Sequence, residues 1–251
     1  MTVERGCRSL VFWVQRLAAP PALGAALFLA QPALAESQTG FAPPNCAKDA
    51  MIVFDASGSM TGMGFGDHTV RRIEKVQRAL ARVLPDIAPM RNLGLVVFGP
   101  GPRQACQNVD VRLPPGPNSA ARIMSEVRGV QPYGQTPLTG AVTAAAEALA
   151  FRERPAVIVL LTDGEETCRG EPCSLAGQLK HQGHDVTVHV IGYMLGHASE
   201  PNNGQFARCL SEGTGGMFIS TETTEELVEA LRRTLGCPIM SSLDRTGEAA
   251  R

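Results

Sequence analysis

Residues 50–54, Ala-Met-Ile-Val-Phe, form an unbroken apolar run that stops at Asp55, and residues 156–161 form a second run that stops at Thr162-Asp163. Runs this short, with no polar alternation, read as strands buried on both faces. A sheet covered on both faces needs helices between its strands, and the intervening sequence supplies them. Val70, Ile73, Val76, Leu80, Val83 and Leu84 recur at helical spacing, as do Leu138, Val142, Ala145 and Leu149 after Pro137. The expectation is an α/β fold: an open, mostly parallel, doubly wound sheet with one antiparallel edge strand and helices on both faces.

The remaining segments fit that frame. Residues 93–98 and 108–113 make a strand pair joined by a Gly/Pro loop, and the second alternates as a half-exposed edge strand does. Residues 114–117, rich in proline, are read as a break between that edge and a helix at 119–130. Residues 186–191 and 217–220 are further strands, and 175–182 and 205–211 short helices. Thr223 and Glu226 have capping-box spacing and start a closing helix that buries Leu227, Leu231 and Leu235. Arg71, Arg72, Lys75, Arg78 and Arg82 fall mostly off the apolar stripe of the first helix and are read as its solvated face, since no aromatic residues interleave to stack on bases. With a formal net charge of -1, the chain has no electrostatic case for binding nucleic acid.

In such a sheet, ligands bind at the carboxyl edge of the strands. Asp55-x-Ser57-x-Ser59 leaves the first run there, and Leu160-Leu161-Thr162-Asp163-Gly164 leaves the second. Gly134-Gln135-Thr136-Pro137-Leu138 puts a hydroxyl at a helix start. These side chains offer oxygen only, which suits a hard cation such as Mg2+. The competing reading is that Asp55 and the serines merely cap the following helix. Glu165 and Glu166 are read as loop surface.

The set Asp55, Ser57, Ser59, Thr136 and Asp163 resembles the metal-ion-dependent adhesion site of von Willebrand factor type A domains, and the resemblance covers roughly residues 45–237. It implies that Ser57 and Ser59 contact Mg2+ directly, that Thr136 does so in an open state, and that Asp55 and Asp163 act through water. Mn2+ is a possible substitute. The implied partner is a protein presenting Asp or Glu to the metal, in a binding domain rather than an enzyme. The alternatives are a Mg2+-dependent hydrolase and a scaffold whose metal is structural.

Arg5, Arg8 and Arg16, an apolar stretch over residues 17–29 and Ala33-Leu34-Ala35 have the layout of a cleaved export signal. The expected organisation is a signal peptide at 1–35, a linker at 36–47, the domain at 48–237 and a disordered tail at 238–251. Such a chain would be periplasmic or secreted, from a bacterium, with no membrane span after cleavage. Cys7 lies in the leader, leaving Cys46, Cys106, Cys168, Cys173, Cys209 and Cys237, an even set that favours disulfides over zinc. Cys46 with Cys237 would clasp the domain's ends, and Cys168 with Cys173 would close a small loop. A strand order like the family's puts the remaining Cys106 and Cys209 on opposite sides of the sheet. Either Cys168 or Cys173 therefore bonds Cys106 or Cys209 instead, or two thiols stay free.

Overall fold

A computed structural model describes residues 47–63, 69–101, 105–164, 166–195 and 204–236. The leader, Cys46, Cys237, the tail and most of the glycine-rich loop before the first helix lie outside the described residues. Six strands form one sheet in the order β3-β2-β1-β4-β5-β6. They are β1 (Asp49–Asp55), β2 (Asn92–Phe98), β3 (Val109–Gly116), β4 (Pro155–Thr162), β5 (Asp185–Tyr193) and β6 (Phe218–Thr221). All neighbours are parallel except β2 and β3. The helices are α1 (Arg72–Ile87), α2 (Ala120–Arg128), α3 (Leu138–Ala148), α4 (Pro172–Gln182), α5 (Gln205–Thr214) and α6 (Thr224–Leu235). This is the doubly wound arrangement expected, antiparallel edge included.

Alternate residues of β1 supply two separate cores, as a period of two requires. Ala50, Ile52 and Phe54 pack with Ile73 and Leu80 of α1, Ile123 of α2 and Leu227, Leu231 and Leu235 of α6. Met51 and Val53 pack with Val142 of α3, Leu179 of α4 and Leu210 of α5 on the other face. Full burial of one such large apolar side chain is worth about 1.5–3 kcal/mol. Burial on both faces makes β1 the centre of the molecule, and it points Asp55 at the carboxyl edge.

Two local expectations need correction. The edge strand runs through Pro114 and Pro115 to Gly116 instead of ending before them. An edge strand tolerates proline because only one of its sides is paired, and register shifts between Leu93, Leu95 and Val96 absorb the irregularity. The residues after Ser57 make a 3-10 turn over Gly58–Thr61. The basic residues of α1 are not all solvated: Lys75 is buried, and Arg72 turns into the carboxyl edge.

The capping box of α6 forms as expected, Thr223 Oγ1 accepting from Glu226 N–H while Glu226 accepts from Thr223 N–H. At the opposite end from Asp55, Arg91 ties the two ends of the described domain together. Its guanidinium donates to the Ala47 and Leu235 carbonyls, each at 2.8 Å, the second being a C-terminal carbonyl of α6 that favours a cation. Burial lowers the Arg91 pKa to about 10.

Candidate metal centre

Three loops converge at the carboxyl edge through close backbone packing. Gly58 N–H donates to the Gly134 carbonyl at 3.1 Å, Tyr133 N–H to the Ala56 carbonyl at 2.9 Å, and Ala56 N–H to the Phe98 carbonyl at 2.9 Å. Gly99 (φ +108) and Gly134 (φ +87) adopt left-handed backbone, and a Cβ on Gly134 would collide with the Gly99 carbonyl. Only glycine permits both the conformation and the approach.

The polar side chains form a chain of hydrogen bonds across this junction. Asp55 is wholly buried; its Oδ1 accepts from Ser57 N–H at 2.7 Å and its Oδ2 from the Thr162 hydroxyl at 2.6 Å. The Ser57 and Ser59 hydroxyls lie 3.0 Å apart, and the Ser59 hydroxyl donates to Asp163 Oδ1 at 2.6 Å. Asp163 Oδ2 accepts from Arg72 at 2.9 Å. Asp55, Ser57, Ser59 and Asp163 are thus brought into one network. Ser59 is its exposed member.

Thr136 is buried on the third loop and is held by its backbone. Its N–H donates to the Thr167 hydroxyl at 2.7 Å, and its carbonyl accepts from Thr167 N–H at 3.1 Å. Among the described residues it shares no hydrogen bond with the other four. Ser57 is the residue before the 3-10 turn, yet its side chain makes no capping bond there. The capping alternative therefore fails for the serines, whose hydroxyls face each other and Asp163 instead.

Two buried carboxylates at one edge, of which only Asp163 pairs with an arginine among the described residues, are electrostatically expensive. Burial, reinforced by the charge of Asp163, raises the Asp55 pKa to about 7 despite the hydrogen bonds from Ser57 and Thr162. Burial also raises Asp163, against the Ser59 and Arg72 contacts that oppose it. The donor set fits a small hard cation, because it is oxygen-only and carries negative charge that the protein compensates incompletely. No group of three or more His, Cys, Asp and Glu side chains that could hold a metal ion occurs among the described residues, so a cation here would depend on the serine and threonine hydroxyls as well as the two aspartates.

Four contributors were not recognised in the sequence. Thr162 reads as the last residue of a strand, and Arg72 as one of several helix cations. Thr167 carries no motif. Glu166, expected as loop surface, accepts from Thr139 N–H at 2.8 Å and from Cys168 N–H at 2.7 Å, so it caps the start of α3. The spacing of Glu166 from Asp163 was visible, but nothing in it indicated a helix more than twenty residues earlier.

The disulfides also differ from the expected small loop. Cys106 bonds Cys168 across a Cα separation of 5.4 Å, and Cys173 bonds Cys209 across 5.1 Å. Cys168 and Cys173 do not pair because α4 begins at Pro172 and carries Cys173 against α5, while Cys168 stays on the rim loop. Cross-pairing resolves the opposite placement of Cys106 and Cys209. It also removes all four sulfurs as zinc ligands. The Cys46–Cys237 clasp lies outside the described residues.

A recess of about 370 Å3 opens beside the network, lined by Gly58, Thr61, Pro132, Tyr133, Gly134 and Gln135. The von Willebrand factor type A domain family model matches residues 50–166. The uncharacterised protein YwmD of Bacillus subtilis (strain 168) is 28% identical over 188 residues, covering 71% of this chain and 81% of that protein. Proximal thread matrix protein 1 from the mussel byssus, in a structure with a zinc-occupied MIDAS motif, superposes with a TM-score of 0.53 at 19% identity, covering 76% of this chain and 46% of that one. The manganese-loaded TRAP protein of Plasmodium vivax superposes with a TM-score of 0.51 at 20% identity, covering 76% and 74% of the two chains. At these identities the two structures establish the shared fold.

Proposed function

We propose that residues 48–237 form a von Willebrand factor type A domain, exported from a bacterium, that binds a protein partner through Mg2+. In this reading Ser57, Ser59 and Thr136 hold the cation directly, while Asp55 and Asp163 hold it through water. The cation supplies a positive centre for an Asp or Glu carboxylate of the partner. Neutral hydroxyls as direct ligands leave it electron-poor, which favours an anionic sixth group. The observation that carries the reading is the Asp55–Ser57–Ser59–Asp163 network, in which both carboxylates are buried, Ser57 makes no capping bond and the charge is incompletely compensated.

The recess beside exposed Ser59 gives a partner side chain room, and half-exposed Tyr133 offers the kind of aromatic rim that protein interfaces use. Two disulfides fit an oxidising compartment, in keeping with the export signal read in the sequence. No helix among the described residues is long and apolar enough to cross a membrane. Binding is preferred to hydrolysis because, among the described residues, the network contains no imidazole to act as a base. His189, a buried histidine of β5, uses Nδ1 to accept from Met217 N–H at 3.1 Å.

The test is linkage between cation and carboxylate. Acetate is expected to tighten Mg2+ binding to the purified protein, by the reciprocity of coupled equilibria, whereas acetamide is not. Equal Mg2+ affinity with and without acetate would remove the adhesive role and leave a structural metal.

A further inference from the structure

Asp163 meets two internal donors, one on each carboxylate oxygen, and one of them is a full positive charge. Arg72 stands at the first position of α1, and its side chain reaches back over the turn that carries Ser59, the direction in which helical side chains lean. Its backbone N–H donates to the Gly62 carbonyl at 2.8 Å, and a Cβ on Gly62 would stand 3.2 Å from its Nε. The guanidinium therefore sits close to a glycine whose lack of a side chain leaves space for it. It reaches Asp163 Oδ2 at 2.9 Å, where the carboxylate side chain is fully buried and the arginine side chain is 25% exposed.

We propose that Arg72 is the internal counter-ion of the centre: it neutralises Asp163 while no divalent cation is bound, and it competes with that cation for the same carboxylate. The inference rests on the metal reading above and assigns it a regulator of affinity. Two facts separate Arg72 from an ordinary structural ion pair. Its partner belongs to the proposed metal shell, so the attraction that stabilises the empty centre opposes the filled one. Among the described residues its Nε is buried without a hydrogen-bond partner, so the guanidinium is incompletely satisfied by them. A structural arginine is normally satisfied by more of its donors. Arg91, at the far end of the sheet, shows the contrast, with two backbone carbonyls on its guanidinium.

The competition makes opposite predictions for the empty and filled states, which a purely structural role does not. In EDTA at pH 8, Arg72→Gln is expected to melt at a lower temperature than the unmodified protein, because it strips the cation from a buried carboxylate pair. By calorimetry at the same pH it is expected to bind Mn2+ about tenfold more tightly or better, the scale on which one adjacent cation shifts a carboxylate's affinity for a proton. Saturating Mn2+ should then close the gap in melting temperature. Arg72→Lys, which keeps the charge, should stay near the unmodified affinity and guards against a folding defect in the glutamine variant. Equal Mn2+ affinity in Arg72→Gln and the unmodified protein overturns the counter-ion assignment while leaving the metal centre intact. If the unmodified protein and both variants bind no Mn2+, the metal reading falls and the competition with it.

Discussion

Replacing Cys106 and Cys168 together by serine is expected to lower stability by about 4 kcal/mol, the chain-entropy value for opening a loop of this size. The bond spans 62 residues, from the loop between β2 and β3 to the rim loop after β4. That rim loop carries Glu166, which caps α3, and Thr167, which holds both backbone groups of Thr136. The loss should therefore show in two ways: a lower urea midpoint, and weaker Mg2+ binding from a less restrained Thr136. The double variant is preferred to either single one because it leaves neither Cys106 nor Cys168 as a thiol to exchange with Cys173–Cys209. An unchanged midpoint would mean that hydrogen bonds alone fix the rim.

The metal-free protein is expected to show an inverted pH dependence from Asp55. Burial raises its folded pKa from 3.8 to about 7, so the folded state keeps a proton that the unfolded chain has released. The contribution is fully present below the unfolded pKa and is lost as pH rises through the folded one, at about 1.4 kcal/mol per pH unit while the states differ by one proton. Asp163 is shifted in the same direction. His189 works against this: burial, with the charge of Arg91, lowers its pKa from 6.5 to about 4, so its contribution is present above the unfolded value and lost on acidification. The Asp55 part is isolated by comparing urea midpoints of the unmodified protein and Asp55→Asn in EDTA between about pH 4 and pH 7. Unmodified protein should lose stability relative to the variant as pH rises, and Mg2+ should restore it at the upper end. Parallel curves would contradict the buried-carboxylate account.

Much of this was legible because the constraints are local. A strand buried on both faces has to be apolar throughout, so β1 and β4 announced themselves, and Asp55 and Asp163 were marked by where those runs stopped. The α6 capping box is likewise a contact between residues three apart. What was hidden depends on how distant elements meet. The apolar stripe identified the buried face of α1 but not that its first residue, Arg72, reaches past the helix end to Asp163. Cysteine spacing could not show that α4 begins at Pro172 and separates Cys168 from Cys173. Pro114 and Pro115 looked like strand breakers because their tolerance depends on β3 being the sheet's edge, a property of the whole sheet.

Whether the Asp55 network is a cation site is decided by calorimetric titration of Mn2+ and Mg2+ into the purified protein and into Asp55→Ala. Saturable binding of a single ion per chain is expected in the unmodified protein, and its loss in Asp55→Ala. No binding in the unmodified protein, with or without acetate, or equal binding in both proteins, would contradict it.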